Sequence, residues 1–110
     1  MPAPTGNLLQ GTLDLLVLKT LSWGPRHGYG VARWLEETTD DALHVEEGSL
    51  YPALYRLERR GWIAAEWGTS ELGKRIKVYA LTPAGRAQLR REVAAWGDFN
   101  AAVAKVLGTA

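Results

Sequence analysis

A chain of 110 residues is long enough for one domain with a modest core, and 46% hydrophobic against 23% charged residues is ordinary for a soluble globular protein. It contains no cysteine, which excludes a disulfide framework and thiolate metal or redox chemistry and is compatible with the reducing cytoplasm, the expected location. The formal net charge of +1 hides a gradient: residues 1–50 carry −4, residues 51–81 carry +3 and residues 82–110 carry +2.

Residues 1–7 are rich in proline, glycine and small polar types; they are expected to be poorly ordered without a partner. They lack the basic start of a signal peptide. No apolar run approaches the roughly 18 residues of a membrane span, so no membrane partner is expected. From Leu8 to Leu21 the chain is dense in leucine, apolar over too much of its circumference for a helix with one solvated side. Such a helix is central to the core, or packs a second surface on another subunit, or does both.

Gly24-Pro25 breaks that helix. A second helix is predicted from Gly28 to Thr38, with Tyr29, Val31, Ala32 and Leu35 as its buried side. His27 has no second histidine nearby and no cysteine to join it, so a structural or phosphate-facing loop role is expected rather than catalysis. The acidic run Glu36-Glu37-Thr38-Thr39-Asp40-Asp41 has neither the spacing nor the glycine of an EF-hand loop and reads as a solvated turn. No metal or other cofactor is expected.

Gly48 to Ile63 carries the most informative pattern. Leu50, Leu54 and Leu57 recur at i, i+4, i+7, with Ala53 near the same face. Gly48, Pro52, Tyr55 and Arg59 fall opposite, and Tyr51 and Arg56 lie on the flanks. Ser49 is placed to cap the helix, which puts Pro52 in the first turn, and Gly61 to end it. A helix with an aliphatic back and a basic, aromatic front, followed at once by strand-like sequence, fits a winged helix-turn-helix that enters a major groove. A solvated basic surface helix would look similar on this stretch alone.

Residues 62–67 read as a strand, 68–73 as a loop and 74–81 as the returning strand. The hairpin carries Lys74, Arg75 and Lys77 just past its tip, in reach of phosphates or a minor groove, although a charged edge strand that discourages aggregation has the same look. Thr82 as N-cap and Pro83 at the first helical position open a last helix that runs to Leu107 before Gly108. Leu89, Val93, Trp96, Asn100, Val103 and Leu107 follow a 4-3-4-3-4 spacing, a coiled-coil-like seam with one polar member. Nothing upstream is left over to cover it, so it points to a second copy of the chain.

The stretch Gly48-Ser49-Leu50-Tyr51-Pro52-Ala53-Leu54-Tyr55-Arg56-Leu57-Glu58-Arg59-Arg60-Gly61 resembles the PadR family of bacterial transcriptional regulators. The likeness continues through Trp67-Gly68, Gly73-Lys74-Arg75 and Tyr79-Ala80-Leu81-Thr82-Pro83-Ala84-Gly85-Arg86. Upstream it includes Gly11-Thr12-Leu13-Asp14-Leu15-Leu16-Val17-Leu18 and His27-Gly28-Tyr29-Gly30. Coverage runs from about Leu8 to Trp96, and the single last helix is similar to the short subgroup. The wing departs from the family in having a shorter basic run and no paired tyrosines, and residues beyond Trp96 follow no family pattern.

The resemblance implies a mostly α protein with a small β-hairpin: a flexible start (1–7), a winged helix-turn-helix (8–82) and a C-terminal dimerisation helix (83–107). It implies a homodimeric repressor rather than an enzyme, built by the first and last helices through Leu9, Leu13, Leu16, Leu89, Val93, Trp96, Asn100, Val103 and Leu107. The expected partner is a double-stranded operator with two-fold-related half-sites. Arg56 and Arg59 suit guanine O6 and N7, and Tyr55 suits a further base contact. Ser49, Tyr51, Pro52, the helix start at Gly28 and Tyr29, and wing residues Lys74, Arg75 and Lys77 complete the DNA face. Two Trp96 rings facing across a two-fold axis, with Phe99 and Asn100 one turn away, would sandwich a small planar aromatic effector; alternatively Trp96 simply fills the dimer core. A winged-helix protein–protein adaptor is the rival function, and no clustered catalytic set supports an enzyme.

Overall fold

The computed structural model describes residues 6–109, with side chains from Gly11 onward. In order these form α1 (Gly6–Leu21), β1 (Arg26–His27), α2 (Gly28–Thr38), α3 (Glu47–Arg59), β2 (Ile63–Thr69), β3 (Arg75–Leu81) and α4 (Pro83–Leu107). Most of the loose start predicted for residues 1–7 falls outside the described residues, and α1 opens at Gly6, two residues earlier than Leu8. The result is a winged helix-turn-helix followed by one long helix.

The leucine-rich α1 is the central element. Val17, Leu18 and Leu21 are buried in one cluster with Val31 and Leu35 of α2, Leu50, Leu54 and Leu57 of α3, Ile63 of β2, Tyr79 of β3 and Leu89 of α4. Each fully buried leucine stabilises the fold by roughly 1.5–3 kcal/mol. Thr20 sits in this apolar layer with no exposure; its hydroxyl donates to the Leu16 carbonyl at 2.8 Å, so burial leaves it satisfied.

Helix α2 has the predicted bounds, with one correction to its buried face. Val31, Ala32 and Leu35 are buried, but Tyr29 is 62% exposed. Its ring stacks on His27 at the very start of the helix, where the first turn projects beyond the core. Helix α3 shows the predicted aliphatic back: Leu50, Ala53, Leu54 and Leu57 are all buried. Its start differs. The backbone N–H groups of Ser49 and Leu50 both donate to the Glu46 carbonyl, at 3.0 and 2.9 Å, and Glu46 rather than Ser49 holds the N-cap position. Leu50 must enter the core in register with Leu54, and that requires the helix to be formed one turn earlier. Pro52 therefore lies inside the helix, where it cannot donate to the Gly48 carbonyl; Gly48 is exposed, so water can take that acceptor.

The end of α3 follows the glycine rule. Gly61 adopts φ +76°, the Gly61 N–H donates to Glu58 O and the Trp62 N–H to Leu57 O, the paired bonds of a Schellman motif. The chain leaves directly into β2. The strands pair antiparallel from Ile63↔Leu81 to Thr69↔Arg75, so β2 runs two residues further toward the tip than predicted while β3 begins one residue later, at Arg75. The sheet order is β1-β3-β2, with Arg26↔Tyr79 and His27↔Val78 adding a third strand that the sequence pattern did not show. Two residues have no periodicity to read; β1 exists only because β3 offers it a free edge.

Helix α4 begins as predicted. Thr82 Oγ1 accepts from the Gly85 N–H at 3.0 Å and donates to the Gly61 carbonyl at 2.7 Å, while the Thr82 N–H donates to Trp62 O. The cap thus ties α4 to the turn between α3 and β2. Its 25 residues span about 38 Å, and most of that length lies beyond Leu89, the last buried residue. The molecule accordingly measures 58 × 29 × 22 Å.

At this junction Gly85 has no room for a side chain: a Cβ would lie 1.9 Å from Trp62 O and 2.8 Å from Leu81 Cδ1. Backbone cannot move aside as a flexible side chain can. Gly85→Ala should therefore destabilise the fold by about 3 kcal/mol or more, read as a lowered thermal midpoint, whereas Gly97→Ala on the open part of α4, where no atom lies within 4 Å, should be neutral or stabilising.

Candidate nucleic-acid interface

The start of α2, the exposed face of α3 and strand β3 converge on one hollow of about 300 Å³, lined by His27, Gly28, Tyr29, Tyr51, Ile76, Lys77 and Tyr79. His27 resolves as a structural residue: its Nδ1 accepts from the Gly30 N–H at 2.9 Å and caps α2. Gly28 is buried because the Tyr51 ring lies over it; a Cβ there would be 3.0 Å from Tyr51 Cε1 and Oη. The glycine lets a phenol lie beside the opening amides of a helix, where anions are favoured. Tyr79 closes the back of the hollow, and burial pushes its phenol up from the usual value, so it stays neutral.

Along α3 the outward residues are Ser49, Tyr51, Pro52, Tyr55 and Arg59, all exposed. Arg59 Nη1 donates to Tyr55 Oη at 3.3 Å, and its guanidinium lies 5.8 Å from the Tyr55 ring centroid. The phenol restrains the guanidinium on the exposed face of α3, and this one bond uses a single N–H of the five it carries.

Arg56 does not belong to this face. Its Nη2 donates to Asp14 Oδ1 at 2.7 Å and its Nε to Asp14 Oδ2 at 3.5 Å, so the guanidinium is turned inward onto α1. The flank position on the helical wheel was compatible with either direction; a buried carboxylate decides it. Lys77 is also partly withdrawn. Its Nζ lies 3.4 Å from Glu58 Oε1 and 5.6 Å from the Tyr79 ring centroid. Of the wing cations, Lys74 and Arg75 are the exposed ones, and Arg75 stacks over the exposed Trp67 ring at 4.4 Å. Trp67 is a wing residue that the strand pattern did not single out. Asp14 is another missed position; the signal available was a lone carboxylate inside a leucine run.

The acidic segment between α2 and α3 is a turn, with Asp40 and Asp41 exposed in the left-handed region at φ 50° and 64°. Among the described residues no group of three or more His, Cys, Asp or Glu side chains converges as a metal site. No described helix is long and apolar enough to cross a membrane.

A second concavity of about 300 Å³ lies between α1 and α4, lined by Gly11, Thr12, Leu15, Glu92, Ala95, Trp96 and Phe99. The Trp96 and Phe99 rings are 6.1 Å apart and tilted by 45°. Asn100, expected as the polar handle here, does not line the groove; about two turns earlier Glu92 supplies the polar group, with Gln88 Nε2 donating to it at 3.0 Å. Along the predicted seam Val93, Trp96, Asn100 and Leu107 are exposed and Val103 is half-buried. Leu89 is corrected: it is buried in the chain's own core, so the uncovered seam begins at Val93. Leu13 and Leu16 are half-buried against that core, and the side chain of Leu9 lies outside the described residues.

Residues 17–91 match the family model described as the transcriptional regulator PadR-like family. The chain is similar to the structure of a transcriptional regulator from Clostridium thermocellum, at 28% identity and a TM-score of 0.82, with 91% of this chain and 97% of that one covered. It is also similar to a PadR family transcriptional regulator from Eggerthella lenta, at 36% identity and a TM-score of 0.79, covering 94% and 88%. A transcriptional regulator of Mycobacterium tuberculosis is 40% identical over 60 residues, 54% of this chain and 55% of that protein.

Proposed function

Since the chain belongs to the PadR-like family of transcriptional regulators, we propose that it works in the cytoplasm as a homodimeric, sequence-specific repressor whose paired α3 helices read two-fold-related half-sites. The observation that carries this reading is the grouping of Tyr51, Tyr55 and Arg59 on one exposed helix face beside the hollow at the start of α2. Arg59 is the guanine reader, Tyr55 its support and neighbouring contact, and Ser49 and Pro52 border the groove walls. Tyr51, the opening amides at Gly28 and Tyr29, and Lys74 and Arg75 of the wing hold phosphates. Lys77, already beside Glu58, acts mainly in seating the wing on α3.

Dimerisation accounts for the apolar surface of α4. Val93, Trp96, Phe99, Val106 and Leu107 are 43–78% exposed on one chain, a stripe that a second copy would cover. The half-buried Leu13 and Leu16 of α1, with Leu15 lining the groove shared with α4, support a subunit contact that also takes in α1. The groove lined by Trp96 and Phe99 then becomes the seat of a small planar aromatic effector, with Glu92 as the polar group. Such a ligand weakens DNA binding only by favouring a dimer whose reading helices are wrongly spaced.

Wild-type protein should select a two-fold-related site from a pool of random duplexes, and its affinity should fall steeply as salt rises; affinity indifferent to salt would overturn the DNA reading. Arg59→Ala should cost roughly 1–3 kcal/mol at one base pair per half-site. Lys74→Ala should weaken all sequences alike and make the salt slope shallower by about one unit.

Val93→Glu puts a charge into the seam and should leave a monomer by light scattering, since an unpartnered buried charge costs about 3–5 kcal/mol. A wild-type protein that is a folded monomer at micromolar concentration would refute the dimer. For the effector, planar aromatic compounds should quench tryptophan fluorescence in wild type and not in Trp96→Leu. With five tryptophans in the chain, quenching that persists in the variant would place the ligand elsewhere.

A further inference from the structure

The most heavily buried ionic contact of the described residues joins the two helices that matter most to the proposed function. Asp14 on α1 is 6% exposed, and Arg56 on α3 reaches it with two hydrogen bonds, at 2.7 and 3.5 Å. Neither residue faces the hollow or the exposed stripe of α3. The pair is therefore outside the DNA-contacting machinery, yet it is attached to the back of the reading helix.

The described core residues that α1 and α3 contribute to their shared buried cluster are aliphatic: Val17, Leu18 and Leu21 on one side, Leu50, Leu54 and Leu57 on the other. Apolar contact is non-directional, so leucine against leucine resists separation far better than it resists roll or slide. A two-toothed guanidinium–carboxylate contact is directional and fixes the rotation of one helix on the other. It is a poor device for stability alone, because a well-packed apolar pair of similar volume commonly does as well. Its position on α1 is also informative. Gly11, Thr12 and Leu15, all within one turn of Asp14, line the groove shared with α4. The same short stretch of α1 thus touches the proposed subunit contact on one side and clamps the reading helix on the other.

We propose that Asp14 and Arg56 are positioning residues for DNA recognition: they lock the roll of α3 on α1 and so transmit the geometry of the dimer to the spacing of its two reading helices. This inference rests on the dimeric DNA-binding reading above. Half-sites on one face of the duplex must match that spacing, and each base pair inserted turns one site about 34° relative to the other, so a rigid link is sensitive to half-site separation and a loose one is not.

The test uses the full chain and the double variant Asp14→Leu/Arg56→Met, which removes one charge of each sign and leaves net charge unchanged. A site selected by wild type from random duplexes is rebuilt with its half-sites one base pair closer and one base pair further apart. Wild type should lose about tenfold in affinity on either change, and the double variant less than about threefold. Its thermal midpoint, its binding to random duplex and its salt slope should all stay near wild type, which a merely structural role would not combine with lost discrimination. Should the double variant not fold, Arg56→Lys keeps the charge and loses the fork, and it should show a reduced spacing penalty. Spacing discrimination equal to wild type in the folded double variant, or in Arg56→Lys, overturns the inference. A wild type that selects no sequence at all overturns the DNA reading itself, and this proposal with it.

Discussion

A helix with leucines around most of its circumference has no side that water can cover cheaply, and that constraint on α1 organises the whole molecule. Helices α2 and α3, the strand ends Ile63 and Tyr79, and the first turns of α4 each close part of its surface. What they leave half-covered, around Leu13, Leu15 and Leu16, borders the apolar groove with Trp96 and Phe99 of α4. The core and the proposed subunit contact are therefore two faces of the same burial problem. A polar substitution on either side of α1 would be felt on both.

Within that frame, the basic charges divide by partner. Arg56 is spent on Asp14 and Lys77 is drawn to Glu58, so two of the six cations of residues 51–81 face their own protein. Arg59 and Arg75 instead stand on aromatic rings, Tyr55 and Trp67. An arginine against a ring keeps its donors and loses side-chain freedom before any ligand arrives, which lowers the entropy cost of binding. The same segment thus yields internal struts and outward-standing cations from one residue type, and the neighbours decide which is which. Burial argues the same way: the half-buried pair Lys77–Glu58 holds the wing loosely, while the more deeply buried Asp14–Arg56 contact is geometric.

The junction at Gly61, Trp62, Thr82 and Gly85 joins these parts. A left-handed glycine ends α3, the Thr82 hydroxyl bridges that glycine's carbonyl to the N-terminus of α4, and the absence of a side chain at Gly85 lets α4 lie directly on the Trp62 carbonyl. The long helix that projects from the domain is consequently anchored on the end of α3. In the proposed dimer, any change in how two copies of α4 associate acts on a rigid assembly rather than on a linker.

Much of this was legible from local pattern. The bounds of α2 and α4, the Thr82-Pro83 start, the Gly61 stop and the aliphatic back of α3 each follow from short-range chemistry: helical periodicity, capping oxygens and glycine at positive φ. The pattern of α3 and the hairpin already pointed to a winged helix-turn-helix; the family resemblance added the general role, and 75 residues matching the family model bear the family out. Four features depended on contacts between residues far apart in the chain. β1 has two residues and forms only on the edge of β3; Ser49 gives up the cap because Leu50 must meet the core in register; Leu89 is claimed by its own core; and Arg56 turns inward because Asp14, 42 positions earlier, is buried beside it. A wheel or a spacing shows which residues share a face, but the direction of a long flank side chain is set by where its counter-charge lies, and only the packed tertiary structure brings that counter-charge within reach.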